Sequence, residues 1–167
     1  TSNGNTFVGS GAGYSNTAGD KNYFAGFFSG YNNTVAGENH FSGYRSGYAN
    51  STGQNNQFLG FEAGHDNSTG SNNLFIGKRA GAENTTSSQN LYLGAFAGES
   101  STGSTGRNIF IGFSSGQMNS GYENQFIGHS SGKNNTGNFN YFSGYHSGEN
   151  NTTGSENHFS GHETGSA

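Results

Sequence analysis

The chain has 167 residues, enough for one ordinary domain, with a formal net charge of −4 and no Cys or Pro. Without Cys there is no disulfide scaffold or thiolate metal site, and no run of about 18 apolar residues exists that could span a membrane. The acidic balance argues against a nucleic-acid partner. The first residues show neither the basic nor the apolar region of a signal peptide.

A nine-residue unit, N-x-aromatic-x-G-x-x-small-G, recurs ten times along the chain. Successive aromatic residues lie 16 to 18 positions apart, and every change of length falls in the linkers between units. Such a period predicts a repeat architecture, here one domain over residues 1–167. The units begin at Asn5, Asn22, Asn39, Asn56, Asn73, Asn90, Asn108, Asn124, Asn140 and Asn157.

Each unit reads as one coil of an all-β, parallel β-solenoid, or β-roll, with ten coils of about 17 residues. Its Asn, aromatic and Gly residues alternate, so they share one face of a short strand. Stacked coils predict an inward aromatic ladder, and the first Asn residues predict an Asn ladder whose amides bond to the copies above and below. The core ladder consists of Phe7, Phe24, Phe41, Phe58, Phe75, Tyr92, Phe110, Phe126, Phe142 and Phe159.

The residues on either side of the aromatic point away from that core. They are aliphatic in the central copies and polar or small in the outer ones. A contiguous outward apolar patch is typical of an interface, so we expect self-association here. The alternative is a wide roll that buries both faces within one chain. The patch residues are Leu74, Ile76, Leu91, Leu93, Ile109 and Ile111.

No constellation of residues indicates catalysis. The acids fall at different phases of the repeat, which disfavours a regular calcium array. His146, His158 and His162 are more simply explained as exposed substitutions than as metal ligands. No nucleophile elbow or phosphate loop is present. The sequence therefore predicts a protein that is not an enzyme and needs no cofactor or metal.

Three exposed features are candidate ligand faces. Tyr14, Tyr31 and Tyr48 follow the last Gly of the first three units and could stack on sugars, although coil-to-coil stacking is the commoner role. A second set of aromatics follows the first Gly: Phe27, Tyr44, Phe61, Phe113 and Tyr145. The linkers carry Asn and Thr in near-register, but Thr shifts in phase, which weakens an ice-binding interpretation. N-x-S/T triplets in the linkers arise from the recurring Asn-Asn-Thr pattern, so they are weak evidence for glycosylation.

The sequence pattern N-x-F-x-G-x-x-A-G followed by N-x-T-G resembles the head repeats of YadA-like trimeric autotransporter adhesins. The resemblance covers essentially the whole chain. The pattern is also similar to repeats of related bacterial and phage fibre proteins that end in an intramolecular chaperone. The resemblance implies a left-handed parallel β-roll with three chains side by side. Two features depart from those heads, since the period is longer and an aromatic replaces the usual aliphatic residue.

These observations favour a non-enzymatic structural and adhesive protein that is extracellular or displayed at the cell surface and assembles with copies of itself. Assembly would be a lateral trimer, head-to-tail stacking, or both. Residues after Gly165 and before Asn5 would make a 6-residue junction, close to the shortest internal linker of 7. Ten coils would then add about 48 Å per chain. The alternative function is an ice- or carbohydrate-binding module, with surface glycans as partners.

Overall fold

The structure is a computed structural model that describes residues 3–103 and 105–166. It contains ten strands of three residues, each centred on the aromatic of one unit. The strands are β1 (Thr6–Val8), β2 (Tyr23–Ala25), β3 (His40–Ser42), β4 (Gln57–Leu59), β5 (Leu74–Ile76), β6 (Leu91–Leu93), β7 (Ile109–Ile111), β8 (Gln125–Ile127), β9 (Tyr141–Ser143) and β10 (His158–Ser160).

All ten strands form one parallel sheet in the order β1 to β10, so each coil pairs only with its neighbours. The register places identical repeat positions side by side, as in Phe24 opposite Phe41 and Tyr92 opposite Phe110. Linkers of different length do not disturb this register. The fold class expected from the repeat, a parallel β-solenoid of about 17 residues per coil, is confirmed.

The predicted aromatic ladder forms the centre of the molecule. From Phe24 to Phe142 the ladder side chains are fully buried, whereas Phe7 in the first coil is 39% exposed. Neighbouring ring centroids lie 4.7 to 5.0 Å apart, with the ring planes within 9° of parallel. Each ring therefore packs against the rings above and below it.

The two glycines of each unit allow two different close contacts, as the second coil illustrates. Gly26 ends β2 at a φ of 139°, and a Cβ there would lie 2.3 Å from the carbonyl oxygen of Gly43. Gly30 has a φ of 57°, and its Cβ would lie 2.6 Å from the ring of Phe24. The first glycine lets coils approach each other, and the second lets the ring lie on bare backbone.

The first Asn of each unit is buried as expected over most of the chain, but its bonding differs from the prediction. Asn22 Oδ1 accepts the backbone N–H of Asn39 at 3.0 Å, and its Nδ2 donates to the carbonyl of Ala36 at 2.8 Å. Among these residues only Asn90 and Asn108 donate an amide N–H to the preceding amide. The column therefore ties strand to linker and coil to coil through the backbone.

A second column of Asn lies in the linkers and supplies the amide-to-amide ladder, while the Thr and Ser residues beside it are exposed or half-buried. Asn33 Nδ2 donates to Asn16 Oδ1 at 2.7 Å, and Asn50 Nδ2 donates to Asn33 Oδ1 at 3.0 Å. The Nδ2 groups of this column find acceptors inside the solenoid, whereas Asn84 Oδ1 is left without a partner among the described residues because Ser101 takes the place of the next Asn. This second amide column comprises Asn16, Asn33, Asn50, Asn67, Asn84, Asn119, Asn135 and Asn151.

Two further positions in each of the second to tenth coils adopt a left-handed backbone without being glycine. One precedes the first Asn of the unit, as in Glu38 at a φ of 60°, and the other is the third residue after the strand, as in Arg45 at 50°. In the first coil both positions are glycine, Gly4 and Gly11. Such a conformation costs an L-residue about 1 kcal/mol. Backbone bonds between coils, such as Arg45 N to Phe27 O at 2.9 Å, hold it in place.

Candidate binding and assembly surfaces

The outward residues of β1 to β10 form a flat surface that we call the strand face. Its central part is aliphatic and carries the six residues predicted to mediate self-association: Leu74, Ile76, Leu91, Leu93, Ile109 and Ile111. They stand in register in adjacent strands, with Leu91 opposite Ile109 and Leu93 opposite Ile111. Leu93 is 41% exposed and the other five are half-buried, so the structure brings these residues together at the surface of the chain.

The strand face carries no formal charge at any position. None of the twenty outward residues of the ten described strands is Asp, Glu, Lys or Arg, although the chain contains 16 such residues. All of the charged side chains lie in turns and linkers. A contiguous exposed surface with aliphatic residues and no charge is typical of an interaction site.

Tyr14, Tyr31 and Tyr48 form a stacked row on the turn that follows the sheet. Their ring centroids lie 5.0 and 5.4 Å apart, and His65 continues the row at 5.2 Å from Tyr48. Tyr14 is 73% exposed. The structure therefore brings together the three residues predicted as a ligand face.

A second aromatic row runs beside the first one. Phe27, Tyr44 and Phe61 are stacked and exposed, with centroids 5.6 and 5.0 Å apart. Arg45 lies between the rows, with its guanidinium carbon 5.3 Å from the Tyr44 ring centre and 5.6 Å from that of Tyr48. Cation–π attraction to both rows holds this arginine at the surface of the first four coils.

The stacking limits what these rows can offer a ligand. Parallel rings with centroids about 5 Å apart must overlap partly face to face, since carbons in contact are about 3.5–4.0 Å apart. Inner rings of a row therefore cover one another's faces and present their edges. Among the tyrosines, Tyr14 is the most exposed, whereas Tyr31 and Tyr48 are half-buried and contribute ring edges and hydroxyls.

A column of side-chain hydroxyls, made of Thr in some coils and Ser in others, follows the second amide column. Thr17 Oγ1 donates to the carbonyl of Thr34, and Thr34 Oγ1 donates to that of Ser51, both at 3.1 Å. Ser51 and Ser68 continue the pattern at 3.0 Å. Thr itself shifts by one position in these coils, to Thr52 and Thr69, and Ser takes its place in the column. The hydroxyl hydrogens are committed to backbone carbonyls rather than to solvent.

An ionic network replaces the aromatic rows in the middle coils. Arg79 contacts Glu62 at 2.8 Å and also donates to Glu99, so one guanidinium joins three successive coils. The hydrogen bond to Glu99 is the main cause that raises the pKa of Arg79. Gln117 donates to the same Glu99 at 2.7 Å and extends the network by one more coil. The sequence analysis did not identify this network because its members lie in different repeats.

The histidines considered for metal binding are not assembled into a site. His158 lies on the strand face, whereas His146 and His162 lie on the turn, where His146 contacts Glu149. Over residues 3–103 and 105–166, no group of three or more His, Cys, Asp or Glu side chains is placed to hold a metal ion. Nor does any helix in these residues have the length and apolar character to cross a membrane.

The fold and its surfaces define the chain as a single-sheet parallel β-solenoid with an aromatic ladder and two amide columns inside. Comparisons with protein-family models, with curated proteins and with solved structures find no match to it. Its function is therefore argued from its own surfaces.

Proposed function

We propose that the protein is a non-enzymatic structural and adhesive β-solenoid that works outside the cell and associates with copies of itself through the strand face. The observation that carries this proposal is the aliphatic, uncharged centre of that face. The resemblance of the repeat to adhesin heads is the reason for placing the assembly at a cell surface.

A second copy is the occupant that fits this face best. Two copies each carry a net charge of −4 and repel one another wherever their acidic turns approach. This repulsion is weakest when two copies approach through their strand faces, because the strand face carries no charged residue. A flat face of in-register Leu and Ile residues also complements itself, as a symmetric contact between like chains requires.

The size of the face sets the strength of the contact. Nine strand spacings span about 43 Å, and three residues are about 10 Å wide, so the face covers about 400 Å². A standard stable interface uses about 800 Å² per partner. We therefore expect association that depends on concentration rather than a permanent dimer, with further copies strengthening it.

Sedimentation velocity over a range of concentrations tests this proposal. We expect the parent to associate, and the Leu91→Lys/Ile109→Lys variant to remain monomeric while keeping its circular dichroism spectrum. The matched control is Val35→Lys/Met118→Lys, which adds the same charge at exposed apolar residues outside the strand face. A parent that stays monomeric throughout, or a control that dissociates equally, would contradict the proposal. Filaments formed by head-to-tail stacking would still assemble in the Leu91→Lys/Ile109→Lys variant. This variant therefore distinguishes end-to-end assembly from assembly through the strand face.

A second candidate function is binding of an extended carbohydrate along the two aromatic rows. The supporting observation is the concentration of stacked rings and the Arg45 guanidinium on one side of the first four coils. Titration calorimetry with soluble oligosaccharides tests it, using Tyr14→Ala/Tyr48→Ala as the variant. Phe113→Ala/Tyr145→Ala is the matched control, because both of its residues are exposed aromatics in other coils. Equal heats from all three proteins would exclude this function.

A further inference from the structure

Seven Asn residues of the chain begin an N-x-S/T triplet, the acceptor sequence for Asn-linked glycosylation. The structure divides them into two groups according to their place in the coil. The seven residues are Asn32, Asn50, Asn67, Asn84, Asn134, Asn150 and Asn151.

One group lies in the second amide column, inside the solenoid. Asn67 is fully buried, and its Nδ2 donates to Asn50 Oδ1 at 2.9 Å and to the carbonyl of Gly70 at 3.0 Å. Asn50 and Asn84 have the same pair of bonds and are equally buried. Both amide hydrogens are therefore in use, and a sugar on Nδ2 would have no path to solvent.

The other group occupies the position just before that column. Asn150 is exposed, Asn32 and Asn134 are half-buried, and Asn134 Nδ2 contacts only the exposed amide of Asn150 among its side-chain partners. A glycan at these positions would extend into solvent. Asn151 belongs to the buried column but is half-buried near the last coil.

We propose that the nascent chain is an acceptor for Asn-linked glycosylation and that a glycan on Asn50, Asn67 or Asn84 prevents the solenoid from forming. The transferase joins C1 of the sugar to Asn Nδ2, which loses a proton, while the C1–O bond to the diphosphate of a lipid-linked oligosaccharide breaks. Because transfer precedes folding, burial does not protect these residues. The protein therefore folds fully only in a compartment in which the transferase does not act on the nascent chain.

This inference is independent of self-association and limits the route by which the chain can reach a cell surface. A secretory pathway that glycosylates nascent chains at N-x-S/T would trap it. Transport without such glycosylation would leave it intact. Asn32, Asn134 and Asn150 are the positions at which the folded protein can carry a glycan.

Expression through a eukaryotic secretory pathway tests the inference. All proteins compared carry Thr153→Ala, which removes Asn151 from the acceptors. The rescue variant adds Thr52→Ala, Thr69→Ala and Thr86→Ala, which remove the three buried acceptors without changing the buried Asn residues, because these Thr side chains are exposed. The matched control instead removes three outer acceptors by Asn32→Gln, Asn134→Gln and Asn150→Gln.

We expect the parent and the control to be retained in the cell with glycans on Asn50, Asn67 or Asn84, and the rescue variant to be secreted at a level at least several-fold higher. Peptide mass spectrometry gives the occupancy, and all proteins should fold alike when produced in a bacterial cytosol. Folded, secreted parent with glycan on a buried Asn would overturn the inference. So would a parent left unmodified at all three, or a rescue variant secreted no better than the parent.

Discussion

Tyr92 and Ser101 are the residues at which the sixth coil departs from the repeat, and they depart together. In the first five coils and in the seventh to ninth, an Asn of the second amide column follows the ladder Phe by nine residues. Here Tyr takes the place of Phe and Ser takes the place of Asn. The Tyr92 hydroxyl donates to Ser101 Oγ at 3.0 Å, and both residues are buried. The smaller Ser makes room for the phenol oxygen and satisfies it.

We therefore predict that Ser101→Asn alone destabilises the protein by about 1–3 kcal/mol, because the larger amide meets the Tyr92 hydroxyl in a close-packed interior. The double change Tyr92→Phe/Ser101→Asn rebuilds the arrangement of the neighbouring coils and should recover that loss. Urea unfolding of the two single variants and the double variant measures the coupling. If the two changes are simply additive, the pair does not compensate in this way.

The same tyrosine makes stability depend on alkaline pH. Burial raises the pKa of the Tyr92 phenol above its ordinary value, whereas the unfolded chain ionises near pH 10. Below about pH 10 both states keep the proton. Above it the unfolded state releases the proton and the folded state retains it, so stability falls by up to about 1.4 kcal/mol per pH unit. Tyr92→Phe should lose less stability than the parent between about pH 9 and 11 when unfolding is followed in urea.

At the scale of the structural element, the strand is too short to be stable by itself. Three residues are below the usual strand length, so each strand depends on its neighbours and on the ring stacked above and below it. The aromatic ladder supplies that stabilisation in the interior coils. In the first coil Phe7 stacks on one ring only.

We predict that Phe75→Ala costs about 3–5 kcal/mol, since it empties a fully buried ring position between two stacked neighbours. Phe7→Ala is the internal comparison and should cost clearly less, because Phe7 is partly exposed. Thermal and urea unfolding measure both. A Phe75→Ala protein as stable as the parent would contradict the role of the ladder.

At the scale of the whole molecule, the solenoid is a one-dimensional stack in which every coil contacts only the coils beside it. A coil can therefore be removed if the remaining register is preserved. Deleting residues 39–55 joins Glu38 to Asn56 and brings β2 against β4 with equivalent positions opposite each other.

We expect the protein lacking residues 39–55 to stay folded, with its denaturant m-value lowered by about a tenth because about a tenth of the surface is lost. The control removes only residues 48–55 and joins Gly47 to Asn56. That deletion takes away fewer residues but keeps β3 without the linker, and its Asn50, that closes the coil, so we expect it to disrupt the sheet. Equal stability of the two deletions would show that coil closure does not depend on the second amide column.

The prediction of the ladder from sequence succeeded because its causes are local and repeated. The alternation of Asn, Phe and Gly around Phe24 marks one strand face, and the period carries that face to Phe41 and Phe58. The second amide column had a similar signal, because Asn33 and Asn50 each follow their aromatic by nine residues. The linker Thr residues beside these Asn residues differ in spacing from coil to coil, which obscures the regular period of the Asn.

The sequence by itself thus determined the coil, its period and the inward aromatic, since each depends on residue types that recur in every copy. Tertiary structure decided where the linker Asn residues go, why Tyr92 has Ser101 as its partner, and which backbone conformation Glu38 and Arg45 adopt. These features arise from hydrogen bonds between coils and from the space left around the rings. Both exist only once the coils are stacked, so chemically different residues can share one left-handed conformation without any common signal in the sequence.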